Sequence, residues 1–306
     1  MMCFSPKIVV VMSSYNGANV LERQLDSIFT QKDVDVCVYV RDDGSSDATI
    51  NVLTNYKNNK QKDKLIVEIG DNVGWQRSFL LALKNAPEAD YYAFSDQDDF
   101  WFENKLINGI NHIQSRVENG PILFHCNKIS TDEKLTPLKK QVKRIPAALN
   151  RQNAIVQEYV QGCSIVMNRS AKELVTRITP QNKIPHDFWC ALVCFLFGKI
   201  IYDDKPYFYH ITYGTNASGE GFLWKSRLQR LKKFFAKGNV YYIPITEILE
   251  TYSDLLTEKD KIFLSKLRDY KKSFDDKLFL LFSPKFRRAS IVGTLSLKLS
   301  IIFNKL

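Results

Sequence analysis

The chain has 306 residues, 45% apolar, 25% charged and 12% aromatic, which excludes a disordered tail, a collagen and a small disulfide knot and allows one large or two modest domains. The net charge of +10 is concentrated at one end: residues 1–219 carry 25 Lys and Arg against 24 Asp and Glu, whereas 220–306 carry 18 against 9. A nearly neutral body argues against a nucleic-acid binder, and no run approaches the roughly 18–20 apolar residues that span a bilayer.

In chain order, the β-branched run Lys7–Met12 predicts a buried strand. Val20–Gln31 places Val20, Leu21, Leu25, Ile28 and Phe29 on one helical face. Val36–Val40 reads as strand, Asp47–Asn58 as helix, Leu65–Ile69 as strand, Trp75–Asn85 as helix and Tyr91–Phe94 as strand. This alternation implies an α/β fold, a mostly parallel Rossmann-like sheet with helices on both faces. Further on, Asn104–Asn119 reads as helix, Pro121–Cys126 as strand and Thr131–Arg151 as a mobile polar loop over the site. Tyr159–Met167 reads as strand, Ser170–Ile178 and Pro185–Phe197 as helices, and Lys199–Tyr202 as strand. Tyr213–Phe222 is Gly-rich, and from Trp224 the pattern is helical and basic.

Ligands of such sheets sit beyond the carboxyl ends of the strands. There the chain places Ser14-Tyr15-Asn16, Asp42-Asp43, Asp71-Asn72 and Asp96-Gln97-Asp98-Asp99. In extended geometry Asp96 and Asp98 face the same way and repel unless a cation sits near them. A bare D-x-D is also a common acidic surface turn. A carboxylate at Asp42 can accept the N3–H of a pyrimidine or hold ribose hydroxyls, while Ser46 caps the next helix. Asp187, opening an apolar helix, is either a cap or a proton acceptor. His186, Cys190 and Cys194 recur on one face of that helix, among apolar neighbours that favour core packing over a metal site. The six cysteines read as reduced, buried thiols, and no secretory leader precedes them, which suggests a cytosolic chain. P-loop, G-x-S-x-G, zinc-type Cys pairing and Rossmann G-x-G-x-x-G motifs are all missing from the sequence. A phosphotransferase with its Gly-rich loop is disfavoured accordingly.

Taken together, Val9–Gly17, Leu21–Ile28, Arg41–Asp47, Asn72-Val73-Gly74 with Phe79, Ser95–Trp101, Gln161-Gly162-Cys163 and His186–Trp189 resemble glycosyltransferase family two, with its GT-A fold. The likeness is to the bacterial branch that includes rhamnosyltransferases of O-antigen and capsule, and it covers about residues 7–220. The resemblance implies a catalytic domain over 1–222, with a nucleotide-binding half to about 100 and an acceptor half beyond, then a helical basic region over 223–306. It implies nucleotide-sugar contacts from Ser14, Tyr15, Asn16, Asp42, Asp43, Asn72, Gly74, Asp96 and Gln97. It gives Mg²⁺ or Mn²⁺ to Asp96 and Asp98, makes Asp187 the general base, and sets Asp99, Trp101, His186 and Trp189 around the acceptor pocket. The implied activity is inverting transfer from a UDP- or dTDP-sugar to a lipid-linked glycan hydroxyl.

One departure is plain: where relatives carry Arg-x-His-Gly-x-Asn, this chain reads Ile211-Thr212-Tyr213-Gly214-Thr215-Asn216, with His210 just upstream. That leaves open a nucleotide-sugar-binding protein with reduced or lost turnover. In the tail, Ile291, Leu295, Leu299 and Ile302 share a helical face near Arg287, Arg288, Lys298 and Lys305. Two readings stand: a helix packed on the domain, or peripheral contact with an anionic membrane at the inner face of the cell membrane.

Overall fold

Strand β1 (Lys7–Ser14) forms where the β-branched run predicts and pairs in parallel with β2 (Asp35–Asp42) and β4 (Tyr91–Ser95); β2 pairs in parallel with β3 (Leu65–Ile69). The computed structural model describes residues 5–61, 63–116, 120–139, 141, 150–157, 160–180, 184–213 and 241–306. The remaining strands are β5 (Phe100–Trp101), β6 (Ile122–Thr131), β7 (Val166–Asn168) and β8 (Lys199–Ile211). The sheet order is β3-β2-β1-β4-β7-β6-β8-β5. Its first four strands are parallel; β7 is antiparallel to β4 and β6, β6 is parallel to β8, and β5 is antiparallel to β8.

Helices α1 (Leu21–Phe29), α2 (Thr49–Lys60) and α3 (Trp75–Asn85) connect the parallel strands. The expected stripe of α1 is buried: Leu21, Leu25 and Ile28 lose all contact with water and pack with Ile8, Val10, Met12 and Val38. This two-sided burial is what a parallel sheet demands of its strands. Then come α4 (Lys105–Gln114), α5 (Arg151–Ile155), a 3₁₀ turn (Gly162–Ser164), α6 (Arg169–Val175) and α7 (His186–Phe197). Helices α8 (Tyr242–Thr251), α9 (Glu258–Asp269), α10 (Phe274–Phe282) and α11 (Ile291–Ile302) follow.

Three elements differ from the sequence reading. Within Tyr159–Met167 only Val166–Met167 is strand, because Gly162–Ser164 turns as 3₁₀. The last strand runs far past Tyr202, through the polar Asp203-Asp204-Lys205-Pro206, to Ile211. The two-residue β5 has no signal of its own; it exists because Phe100 and Trp101 find Tyr209 and Phe208 as partners. The segments 214–222 and 224–237, and residues 140 and 142–149 of the polar loop, lie outside the described residues.

The chain divides into two compact units. One comprises Met1–Lys143, Val160–Cys194 and Gly198–Gly214 and contains the sheet; the other comprises Arg144–Tyr159, Phe195–Phe197 and Thr215–Leu306 and contains α5 and α8–α11.

Candidate active site

The parallel strands deliver their carboxyl ends to one edge, and a cavity of about 410 Å³ opens there. Ser13 and Tyr15 come from the end of β1, Asp43 from β2, and Asn72 and Gly74 from the turn after β3. Trp75 and Phe79 come from α3, and Asp96, Gln97 and Asp98 from the end of β4.

The side facing β2 is cross-braced by the chain itself. Asp42 is fully buried. Its carboxylate accepts from the Ser14 hydroxyl (3.0 Å), the Ser45 N–H (2.8 Å) and the Ser45 hydroxyl (2.6 Å). It therefore pins β1 to the β2–α2 turn rather than facing the cavity, which corrects its expected place against the base. Ser14 is turned inward with it, and Asn16 bridges the same loops, donating its N–H to the Ser45 hydroxyl and accepting from the Ser46 N–H. Ser46 is not the cap of α2; Asp47 instead accepts from the Thr49 N–H and hydroxyl. Gly44 adopts φ +76°, and a Cβ there would stand 3.0 Å from the Asn72 nitrogen, so the turn needs glycine.

Asp43 is the carboxylate that reaches the cavity. It pairs with buried Arg41 at 2.6 Å and accepts the Val73 and Gly74 N–H groups at 3.0 and 2.9 Å. Arg41 also donates to Ser78 and to the Asp71 carbonyl. Gln97 clasps Tyr15 with both ends of its amide, tying the β4 end to the β1 end.

The β4 side is different. Burial, with repulsion from Asp99 and Asp98, pushes the Asp96 carboxyl up to about 7. Burial and the charge of Asp99 raise Asp98 as well. Asp99 is fully buried; one oxygen meets His210 Nδ1 at 3.0 Å and the other has no hydrogen-bond partner among the described residues. Donor atoms of Asp96, Asp99, Cys163 and His210 all lie within 4.8 Å of one another. Crowded carboxylates, an orphaned buried oxygen and an imidazole fit a hard divalent cation. Cys163 does not: burial drives its thiol well above the ordinary range, so it stays protonated and donates to Asp96. Among the described residues the grouped donors suited to a cation are thus those of Asp96, Asp99 and His210, while Asp98 lines the cavity beside Asp96. His210 arrives because β8 runs on through the polar Asp203-Asp204-Lys205-Pro206 to pair with β5, a continuation that stretch does not announce. Tyr213, in the place of the family histidine, accepts from Arg23 at 3.2 Å and lies close enough to Asp98 to feel its charge.

Behind this cluster Lys105 is fully buried, its Nζ 3.4 Å above the Trp101 ring and without a hydrogen-bond partner; burial lowers it to about 8. Trp101 and Trp189 are both fully buried, Trp189 donating to the Val175 carbonyl. They have no surface with which to meet an acceptor, and their expected place in the pocket is corrected to the core. Asp99, fully buried too, acts from beneath the cavity.

Asp187 lies in the first turn of α7. Burial raises its carboxyl, opposed by the N–H groups of Phe188 and Gly162. Gly162, whose N–H meets Asp187, directly precedes Cys163, whose thiol touches Asp96. His186 is buried with both ring nitrogens unpartnered, stacked on Phe79 at 4.1 Å and edge-on to Trp75. Burial lowers it to about 3, so it is neutral and serves as an aromatic prop for the cavity wall rather than as an acid. A Cβ on Gly162 would come within 2.1 Å of its Nε2.

Comparison with known proteins follows the same lines. The model of the family "Glycosyl transferase family 2" matches residues 9–175. The dTDP-rhamnosyl transferase RfbG of Shigella flexneri is 34% identical over 253 residues, 79% of this chain and 85% of that protein. An uncharacterized glycosyltransferase of Rickettsia prowazekii, RP339, is 21% identical over 214 residues, 66% of this chain and 63% of its own. Among solved structures, S. aureus TarS 1–349 in complex with UDP aligns with a TM-score of 0.57 at 19% identity, over 90% of this chain and 75% of that one. The mannosyltransferase PcManGT from Pyrobaculum calidifontis, in complex with GDP-Man and Mn²⁺, aligns with a TM-score of 0.51 at 15% identity, over 99% and 89%. The fold is GT-A.

Proposed function

The chain belongs to glycosyltransferase family 2, and from that premise we propose that it transfers a sugar, with inversion, from a UDP- or dTDP-linked donor to a hydroxyl of a lipid-linked glycan in bacterial surface polysaccharide assembly, of the capsule or O-antigen kind, at the inner face of the cell membrane. The observation that carries the reading is that one cavity at the strand ends is lined by Asp43 and Tyr15 together with Asp96 and Asp98. The identity to a dTDP-rhamnosyl transferase supports a dTDP-sugar among the donors.

In this reading Tyr15 and Asp43 receive the nucleoside, Asp43 held in place by Arg41 and the two backbone N–H groups. Asp96, Asp99 and His210, whose donor atoms lie together, would hold Mg²⁺ or Mn²⁺, with Asp98 lining the cavity beside them. Such an ion, when bound, offsets the negative charge of the donor diphosphate. Asp187 takes the proton of the acceptor hydroxyl as that oxygen attacks the anomeric carbon, and the nucleoside diphosphate departs from the opposite face. Its raised carboxyl makes it a stronger base than an ordinary aspartate.

The test is release of nucleoside diphosphate from a panel of UDP- and dTDP-sugars, with binding of each followed by calorimetry. Asp187→Asn is expected to slow transfer by about 10²–10⁴-fold while nucleotide affinity stays. Unchanged turnover in that variant removes Asp187 from the role. Donor binding without any release or transfer by the wild type would favour the reading as a binding protein, which rests on Tyr213.

A further inference from the structure

From residue 277 to the end of the chain stand Lys277, Lys285, Arg287, Arg288, Lys298 and Lys305, with no Asp or Glu among them. This stretch holds most of α10 and all of α11. The two helices are joined inside their unit: Lys298 donates to the Leu280 and Ser283 carbonyls and closes the end of α10. Leu280 of α10 and Leu297 and Ile301 of α11 are buried.

The opposite faces are apolar as well. Ile291, Leu295, Leu299 and Ile302 recur at i, i+4, i+8 and i+11 and are all exposed, Ile291 to 81%. On α10, Phe279 and Phe282 are exposed, Phe282 to 80%. A helix that is apolar all round is normally enclosed; here one side is left to water. The segment between the helices adds exposed Lys285 and Arg287, and among the described residues neither has an acidic partner.

We propose that the outer faces of α10 and α11 form a docking surface for an anionic lipid bilayer, with the helices lying in the plane of the headgroups. Phe282, Ile291, Leu295 and Leu299 enter the acyl boundary, and Lys285 and Arg287 meet the lipid phosphates. Helix α11 has twelve residues, about 18 Å at 1.5 Å per residue, too short for a hydrocarbon core of about 30 Å. Among the described residues no helix is long and apolar enough to cross. Charge decides against a second copy of the chain as the occupant: a two-fold contact would set cations against cations with no acid to pair them. The surface deepens the membrane placement proposed above and is independent of the transfer chemistry, so its failure removes that placement and leaves the transfer itself standing.

The experiment is flotation of the full chain with phosphatidylcholine vesicles and with vesicles containing about 30 mol% phosphatidylglycerol. The wild type is expected to float with the anionic vesicles and to be released as salt rises to about 0.5 M. Phe282→Glu with Ile291→Glu is expected to lower the bound fraction about tenfold or more. Lys285→Glu with Arg287→Glu is expected to erase the preference for anionic lipid. Circular dichroism and nucleotide binding should be unchanged in both; if the glutamates disturb folding, Phe282→Ser with Ile291→Ser takes their place. Absence of flotation, equal flotation of wild type and the apolar-face variant, or a dimer in sedimentation velocity that Ile291→Glu dissolves would each overturn the proposal.

Discussion

The two sides of the cavity use the same residue type in opposite ways. On the β2 side, Asp42 and Asp43 are buried and the chain supplies their partners: hydroxyls, backbone N–H groups and the Arg41 guanidinium. On the β4 side, Asp96, Asp98 and Asp99 crowd together, two of them raised and the third with an unpartnered oxygen. A carboxylate satisfied by its own protein is first a brace, as Asp43 is even where it borders the cavity; one left wanting positive charge is a place for a cation. Buried acids alone therefore do not locate a site. The accounting of their partners does.

This contrast is sharpened by substitutions that remove stability on one side and not on the other. The largest loss is expected for Asp43→Ala, which strands the buried Arg41 and frees two N–H groups, at about 3–5 kcal/mol in urea unfolding. Asp42→Ala should cost about 1–3 kcal/mol, since the Ser14 hydroxyl and the Ser45 N–H lose their acceptor. If either variant unfolds like the wild type, the β2 side is not a brace.

Asp96→Asn should behave in the reverse sense. The folded state raises this carboxyl to about 7 from an ordinary 3.8, so ionising it costs stability. That cost is absent below the unfolded value, grows with pH between the two values, and is complete above about 7. The variant should therefore be more stable than the wild type at pH 8, by about 1–2 kcal/mol allowing for the exposure of the group to the cavity, and equal to it in strong acid. The smallest effect expected is a rise of a few degrees in melting temperature on adding Mn²⁺. It should be greater at pH 8 than at pH 5.5, because protons compete for Asp96, and absent in Asp99→Asn. A cation response that grows as pH falls would contradict the placement of charge on the β4 side.

Much of this was legible in the linear chain. Lys7–Met12, Leu21–Ile28 and Trp75–Asn85 announce their elements because neighbouring residues carry the pattern that burial requires, period two or period 3.6. The acids fall at strand ends for the same local reason, a strand stopping where polarity begins. Other features were not legible. Asp42 and Asp43 are adjacent, and only the turn after β3, folding its Val73 and Gly74 N–H groups over β2, sends one to the cavity and leaves the other inside. The family resemblance alone implies tryptophans around the pocket. Trp101 is instead drawn into the core, where it lies beneath Lys105.

His210 marks the boundary between the two kinds of information. Its own run, Tyr207–Ile211, is aromatic and suits a strand, but the Asp203-Asp204-Lys205-Pro206 before it reads as a break, and the strand continues through it because β6 lies along one edge and β5 along the other. Composition and periodicity settled the alternation of elements, the acidic strand ends and the basic, apolar tail, since each depends on residues a few positions apart. Which acid is braced and which stays open depended on contacts across about thirty residues, and which histidine meets them on strand pairing across more than a hundred, where hydrogen-bonded register rather than local preference sets the outcome.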